Sequence, residues 1–512
     1  MPATGAPSGG GTVQLPLTAF RHGVASADPL PEGVLLWTRC TTGGEEPVEV
    51  DWWVGREPDA GFTGAEATGT AEASPAGDFT VHVDVGGLEP ATTYWYGFRL
   101  GDDSSPVGRT RTAPAPDVPL EHLRLGLVSC AYWSCGFFNA YANVAARELD
   151  LVVHVGDYIY ENDLMSRSRH AVRAHRPRGP VRTLSDYRTR HAQYRTDPDL
   201  QALHARHPMV AVWDDHEITG GAWRGGATDH KPERHGVWED RRAAALQAYF
   251  EWVPMRRHVP GSVYRTVRLG PLADLFMLDT RLVGRDQPSK DARRPAVRIR
   301  HRDRSLLGED QWRWLEGEAA ASEARWTVVG NQVMMAPLQV LALAGGIGVN
   351  PSQWDGYPEE RQRLYDVLGR DGRTANVAVL TGDLHSSWAA DLPVGAEFVS
   401  PSVTTDSFAR TLMPAIPGAS ALARRLFLWQ NRHLRLADLD RHGYVVVDLT
   451  PDRLQGDWWH VDTISRRDPG ERWAGGWWLA EGELGLRRAS APAAGSVRAP
   501  AGARSPRSAP EG

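Results

Sequence analysis

The rhythm of hydrophobic and polar positions changes near residue 120. Between about Phe20 and Thr112, apolar and polar residues largely alternate in short segments such as GVLLWTRC, VEVDWWVG, FTVHVDV and TTYWYGFRL. Period-two alternation broken by turn residues predicts the half-buried strands of a β-sandwich. We place that sandwich at residues 17–115. Residues 1–16, rich in Gly, Pro, Ala and Ser, are expected to be disordered. The run APAPDVP at 113–119 reads as a linker.

From Leu123 the apolar runs become continuous. LRLGLVSC, LDLVVHVGD, PMVAVWDD, DLFMLDT, WTVVGNQ, NVAVLTGD and EFVSPSV read as buried strands. Between them, GFFNAYANVAAREL, SDYRTRHAQY, GVWEDRRAAALQAYFEWV, GEDQWRWLEGEAAAS and PEERQRLYDVLGR read as helices. Strands alternating with helices predict an α/β domain, placed here at 120–486. HGYVVVDLTP and LQGDWWHVDT predict a closing hairpin. Residues 487–512, rich in Ala, Pro, Ser, Arg and Gly, are expected to be a disordered tail.

Several buried strands end in polar residues that can bind metal. LGLVS runs into Cys130, and VVHVG into Asp157 and then Tyr160. VAVW runs into Asp214, Asp215, His216 and Glu217, VVG into Asn331, and VAVLTG into Asp383 and His385. In open α/β sheets, ligands bind outside the carboxyl ends of the strands. Each motif alone has a plain reading: Asp157 as a turn residue, Asp-Asp-His-Glu as a capped helix start, Cys130 as a small buried hydrophobe. Jointly, in order and at strand ends, they favour a site, because such groups are costly to gather without an ion. Thiolate and phenolate suit iron, whereas Asp, Asn and backbone oxygens suit a harder divalent ion. Paired metals commonly serve phosphoester hydrolysis.

Composition narrows the class. The 512 residues carry 57 Lys+Arg against 63 Asp+Glu, a net charge of −6, which does not suit a general nucleic-acid binder. Cys40, Cys130 and Cys135 are too few and too odd for a disulfide framework. We expect Cys40 and Cys135 to be structural. No apolar run is long enough to predict a transmembrane helix. The N-terminal stretch MPATGAPSGGGTVQ shows neither the basic nor the apolar region of a secretory signal. The segment 163–206 holds ten Arg against four Asp. It reads either as an electropositive wall that steers an anion or as helix-surface pairing with Asp186, Asp197 and Asp199.

The ordered motifs VSCAYWSCGFFNAY, LDLVVHVGDYIYEND, TLSDYRTRHAQYRTDPDLQALHARHP, VWDDHE, LDTR, NQVMMAP, QWDGYPEER, VLTGDLHSSW and EFVSPSVT resemble the alkaline phosphatase D family of calcineurin-like metallophosphoesterases. The likeness runs from FRHGVASADPLPEGVLLWTR (20–39) to HGYVVVDL (442–449). It implies an α/β (α+β) fold: a metallophosphoesterase αββα sandwich behind an N-terminal β domain. We read that β domain as fibronectin III-like, because Leu88–Tyr96 resembles the corner at which a Tyr bonds back to the chain. The resemblance also implies Fe(III) held by Cys130, Asp157 and Tyr160, with His385 completing the set. Asp157 would bridge to Ca²⁺ or another divalent ion, Asp383 would bind that second ion, and Asp215 would ligate or orient. Asp215 and His216 would be catalytic, with His216 facing the phosphate or the leaving group. Water or hydroxide held between the ions would attack phosphorus in line.

One position departs from the family pattern. Relatives often carry a metal-binding Asn where this chain has Gly220, so Asp214, Asp215, a water or Asn331 must fill the gap, or the second site is weaker. Arg188, in the family-like Asp-Tyr-Arg run, is the expected phosphate contact. Trp388 and the Trp458-Trp459 pair are either core or the lining of the substrate mouth. The expected partner is a phosphate mono- or diester, and the chain is expected to be a monomer with no nucleic-acid partner. Diesterase or phospholipase D-type activity, a weakly catalytic binding homologue and a purple acid phosphatase relative are the alternatives. The resemblance suggests export by the twin-Arg route, although this chain shows no such signal.

Overall fold

The computed structural model describes residues 19–164, 171–257, 261–288, 304–342, 346–348, 350–369, 375–412 and 418–495. Residues 1–16, Arg167, Arg169 and the end of the tail from 496 lie outside the described residues.

Two large sheets lie face to face. The first has ten strands. Its centre is parallel, with Leu123–Val128 beside Leu151–His154 and then Met209–Ala211. The predicted hairpin, Gly443–Leu449 and Arg453–Val461, adds antiparallel to Leu123–Val128 and continues into Glu471–Ala480. The second sheet has seven strands, with Ala273–Met277, Trp326–Asn331, Val377–Thr381 and Gly395–Val399 running parallel through its middle. One apolar core joins the sheets, with Leu125, Val128 and Val153 from the first and Leu275, Val328 and Phe398 from the second. A second core packs the outer face of the seven-stranded sheet against Glu309–Ala321 and Pro358–Leu368, through Trp312, Leu315, Leu364 and Leu368. These are the layers of an αββα sandwich.

The N-terminal strands are divided between two sheets. Val48–Gly55, Ala67–Ala73 and Thr93–Leu100 form a separate antiparallel sheet with Asp103–Ser104 and Gly108–Arg111. Val24–Leu30, Gly33–Arg39 and Thr80–Gly86 face it across a core that includes Val34, Leu36, Val50 and Tyr96. They also extend the ten-stranded sheet, because Ala27 pairs in parallel with Met209. The Tyr corner forms: the Glu89 backbone N–H donates to the Tyr94 hydroxyl at 2.9 Å.

Two boundaries differ from the sequence reading. The helix expected over 136–149 is shorter, Asn139–Ala145, because Phe137 instead donates its N–H to the Ile464 carbonyl. The tail expected to be disordered from 487 begins as a strand: Arg487–Arg488 pairs with Trp477 and Trp478, and the Ala493 N–H donates to Asp457. A short polar segment offers no hydrophobic period, and it is the neighbouring strand edge that orders it.

Candidate metal centre

The ligand candidates sit where strands of the two sheets end along one rim. Nine described non-glycine residues have positive φ, and four of them are Cys130 (61°), Asp157 (54°), Asp383 (60°) and His385 (51°). Such backbone costs about 1–3 kcal/mol per residue and persists only where the surroundings impose it. Close approach imposes it here. A Cβ on Gly156 would lie 2.4 Å from the Asp214 Cβ, so only glycine lets the two strand ends meet. Glu217 ties the same ends together by accepting the N–H groups of Tyr158 (2.6 Å) and Asp214 (2.8 Å). Burial and then nearby Asp157 push the Glu217 carboxyl up to about 8.

Three overlapping groups bring ligand atoms within 4.8 Å of one another: Cys130, Asp157 and His385; Asp157, Asp215 and His216; Asp214, Asp215 and Asp383. Tyr160 belongs with the first. Its hydroxyl donates to Asp157 at 2.6 Å, lies 3.2 Å from His385 Nε2 and accepts from Thr405 at 2.8 Å. Cys130, Asp157 and Tyr160 are buried, while Asp383, His216 and His385 form the partly exposed edge. Burial, followed by the charge of Asp157, pushes both the Cys130 thiol and the Tyr160 phenol well above their ordinary values.

Arg281 stands in the third group. Its guanidinium donates to Asp214, to Asp383 at 2.5 Å, and lies 3.5 Å from Asp215. Gln353 donates to the other oxygen of Asp383 at 2.5 Å. Burial opposes ionisation of Asp215, but Arg281 and His216 hold its carboxyl below the usual range. Burial holds Asp214 up despite Arg281, with Asp383 and Asp215 adding repulsion, and its Oδ2 is buried with no partner. Three carboxylates around one guanidinium, with one oxygen orphaned, leave acceptor capacity that a cation fits. The Cys130 group mixes a thiol, a carboxylate, an imidazole and the Tyr160 phenol, whereas the Asp214 group offers only carboxylate oxygens.

His216 is oriented from behind. Its Nδ1 lies 2.7 Å from Glu161, which also accepts from Thr219 (2.9 Å) and the Gly220 N–H (3.0 Å). Burial opposes the imidazolium, but Glu161, Asp157 and Asp215 hold the His216 pKa well above the ordinary value. The space over Gly220 is not open. A Cβ there would lie 2.6 Å from Asp229 Oδ2, because the Asp229 N–H bonds the Gly220 carbonyl in a tight hairpin.

The rim thus gathers Cys130, Asp157, Tyr160, Asp214, Asp215, His216, Asp383 and His385. Other expected residues lie elsewhere. Arg188 makes a two-pronged pair with Glu251 (2.6 and 2.7 Å) and donates to the Ala76 carbonyl, so it braces the N-terminal domain. Asn331 spends its side chain on Val333, Thr381 and Trp354. Trp388 packs against Phe427, and Trp458 stacks on Phe398, both fully buried. Trp459 lies under the Arg147 guanidinium. All three cysteines are free thiols, and burial pushes Cys40 and Cys135 up to about 12. Sequence reading did not single out Arg281, Glu161, Gln353, Thr405 or Asp229. The signals were present for two of them: Arg281 closely follows a buried strand in Leu-Asp-Thr-Arg, and Glu161 adjoins Tyr160.

Comparison with known proteins places this rim in a lineage. The model of the PhoD-like phosphatase family matches residues 125–458, and that of the PhoD-like phosphatase N-terminal domain matches residues 7–114. Over 459 residues the chain is 37% identical to alkaline phosphatase D of Bacillus subtilis (strain 168), covering 86% of this chain and 77% of the relative. A solved structure described as PhoD superposes with a TM-score of 0.83 at 33% identity, covering 94% of each chain. The purple acid phosphatase PPD1 from yellow lupin (Lupinus luteus) seeds has a TM-score of 0.53 at 12% identity, covering 90% of this chain and 73% of that one, and shares the fold alone. Because the family match spans every ligand-bearing strand end, and the likeness extends through the N-terminal sandwich, the chain belongs to the PhoD-like phosphatase family and is a phosphoric ester hydrolase.

Proposed function

We propose that the rim is a two-metal phosphoesterase centre, with Fe(III) in the Cys130 corner and Ca²⁺ or another divalent ion in the Asp214 corner. The observation that carries this reading is the overlap of the ligand groups: Asp157 belongs to the first and second, Asp215 to the second and third. Cys130, Asp157, Tyr160 and His385 would hold the iron, Asp157 would be shared between the two ions, and Asp214, Asp215 and Asp383 would hold the second. Bound ions would supply Lewis acidity that polarises the phosphoryl oxygens and lowers the pKa of water.

The remaining work falls to side chains. Glu161 keeps His216 protonated and occupies its Nδ1, which leaves Nε2 to donate to the leaving oxygen. Arg281 fixes the carboxylates of the second corner. Asp229 presents a carboxylate where Gly220 has no side chain, and we assign it the role of completing that corner from the opposite strand. Gly220→Asn is therefore expected to clash with Asp229 and weaken divalent-ion binding measured by calorimetry. Tighter binding would remove Asp229 from the site.

The test is elemental analysis and a visible spectrum of the purified protein and of Cys130→Ser. The wild type should contain iron and show ligand-to-metal absorbance, and Cys130→Ser should lose both while remaining folded by circular dichroism. Unchanged iron and colour in Cys130→Ser would overturn the assignment. Rates on p-nitrophenyl phosphate, bis-p-nitrophenyl phosphate and a phospholipid then separate monoesterase from diesterase action.

A further inference from the structure

The helix Ala419–Gln430 leaves one face uncovered among the described residues. Its inner face packs Phe427 against Trp388 and Phe408, with ring centroids 5.4 and 5.9 Å apart. Leu422, Leu426 and Trp429 are 60%, 45% and 63% exposed. Spacings of four and three residues put them on one stripe. Nine large apolar side chains are exposed in the described structure, and these three alone share an element.

The charge beside the stripe is of one sign. The helix sequence ASALARRLFLWQ has no acidic residue. Arg424 and Arg425 on it, and Arg432 just beyond it, are exposed and have no ion-pair partner among the described residues. Neighbouring Arg410 and Arg435 are paired, with Asp406 and Asp391. At 100° per residue Arg425 flanks the stripe and Arg432 lies just beyond the helix end, whereas Arg424 lies on the opposite side of the helix.

We propose that this helix is a peripheral docking surface for an anionic lipid bilayer. Leucines and a tryptophan entering the headgroup boundary, beside arginines that reach lipid phosphates, are the chemistry of an interfacial helix. A second copy of the chain fits less well. Three half-exposed side chains offer on the order of 300 Å², since a whole aromatic side chain covers only about 150–250 Å². A stable protein interface needs about 800 Å² per partner. The helix lies on the excursion that leaves the site after Thr405 and returns at strand Leu434–Asp438, and it uses no ligand residue. The proposal therefore stands independently of the metal assignment.

The experiment is co-sedimentation of the full chain with sucrose-loaded vesicles. One set is pure phosphatidylcholine, and the other contains roughly one-third phosphatidylglycerol. The wild type should pellet with the anionic vesicles and lose most of that binding at high salt. Leu422→Ser/Trp429→Ser and Arg425→Gln/Arg432→Gln should each bind roughly tenfold more weakly, with unchanged thermal unfolding and unchanged hydrolysis of soluble p-nitrophenyl phosphate. The proposal falls if the wild type does not pellet, if both vesicles bind equally, or if either double variant binds as the wild type does. It also falls if light scattering shows a wild-type dimer that Leu422→Ser/Trp429→Ser converts to a monomer, because the stripe would then be a contact between copies.

Discussion

Two corners of one rim handle charge in different ways. In the Cys130 corner, among the described residues, no arginine or lysine bonds the side chains of Cys130, Asp157 or Tyr160. Burial and Asp157 keep the thiol and the phenol protonated. In the Asp214 corner a guanidinium already lies among the carboxylates. The first corner would become a ligand set only by exchanging protons for a cation. In the second, Arg281 lies between an Asp215 held ionised and an Asp214 whose carboxyl burial holds up. Metal binding should thus be pH-dependent in the first corner and should compete with a guanidinium in the second.

The largest expected effect strikes both corners. Asp157 belongs to the Cys130 group and, with Asp215, to the group that adjoins the Asp214 corner; it accepts from the Tyr160 hydroxyl and receives the His216 N–H at 3.3 Å. Asp157→Asn should lower kcat by about a thousandfold, the upper range for losing one charged element of a catalytic site. Elemental analysis should show metal lost from both positions. Full metal content with near-normal turnover would mean that the corners are independent.

Arg281→Leu breaks the comparison from the other side. Removing one partner of a buried ion pair costs about 3–5 kcal/mol, because the remaining charges are left uncompensated. The metal-free variant should be destabilised by that amount in denaturant unfolding. Added Ca²⁺ should then raise its Tm more than it raises that of the wild type, since the ion no longer competes with a guanidinium. Equal Tm gains would show that ion and arginine do not share these carboxylates.

What was legible follows from where each signal resides. A continuous apolar run ending in a polar residue fixes both the strand and the rim, so the convergence of Cys130, Asp157, Asp215 and Asp383 on one rim was legible without coordinates. Tyr94 was legible because its corner is local in sequence. The positive φ angles at Cys130, Asp157, Asp383 and His385 were not, because they arise from strand ends crowding one another. Trp388 shows the limit of counting from a motif. It lies three residues beyond His385, on a strand whose neighbouring Ser387 bonds His460 while Trp388 faces the outer core.

Glu161→Gln gives a smaller and more pointed effect. Burial alone would lower the His216 pKa, and the Glu161 charge is the largest influence holding it up. Loss of that charge should bring the pKa down. If protonated His216 serves the leaving oxygen, activity is lost as pH rises through that pKa, so the alkaline limb of the kcat/KM profile moves to lower pH. An unmoved limb would transfer the proton to another donor.

The smallest effect belongs to Arg188 and turns on helix geometry. In Leu184–Tyr194 the buried residues are Tyr187, Arg190, His191 and Tyr194, spaced as one helical face. Arg190 on that face donates to the Tyr160 carbonyl. Arg188 is about 100° round the helix, where it meets Glu251 and the N-terminal domain instead. Arg188→Ala should leave KM for a phosphoester unchanged and cost about 1 kcal/mol in urea unfolding, the scale of a partly exposed pair. A KM raised tenfold with stability intact would return Arg188 to the substrate and require the helix to turn by more than a quarter of its circumference.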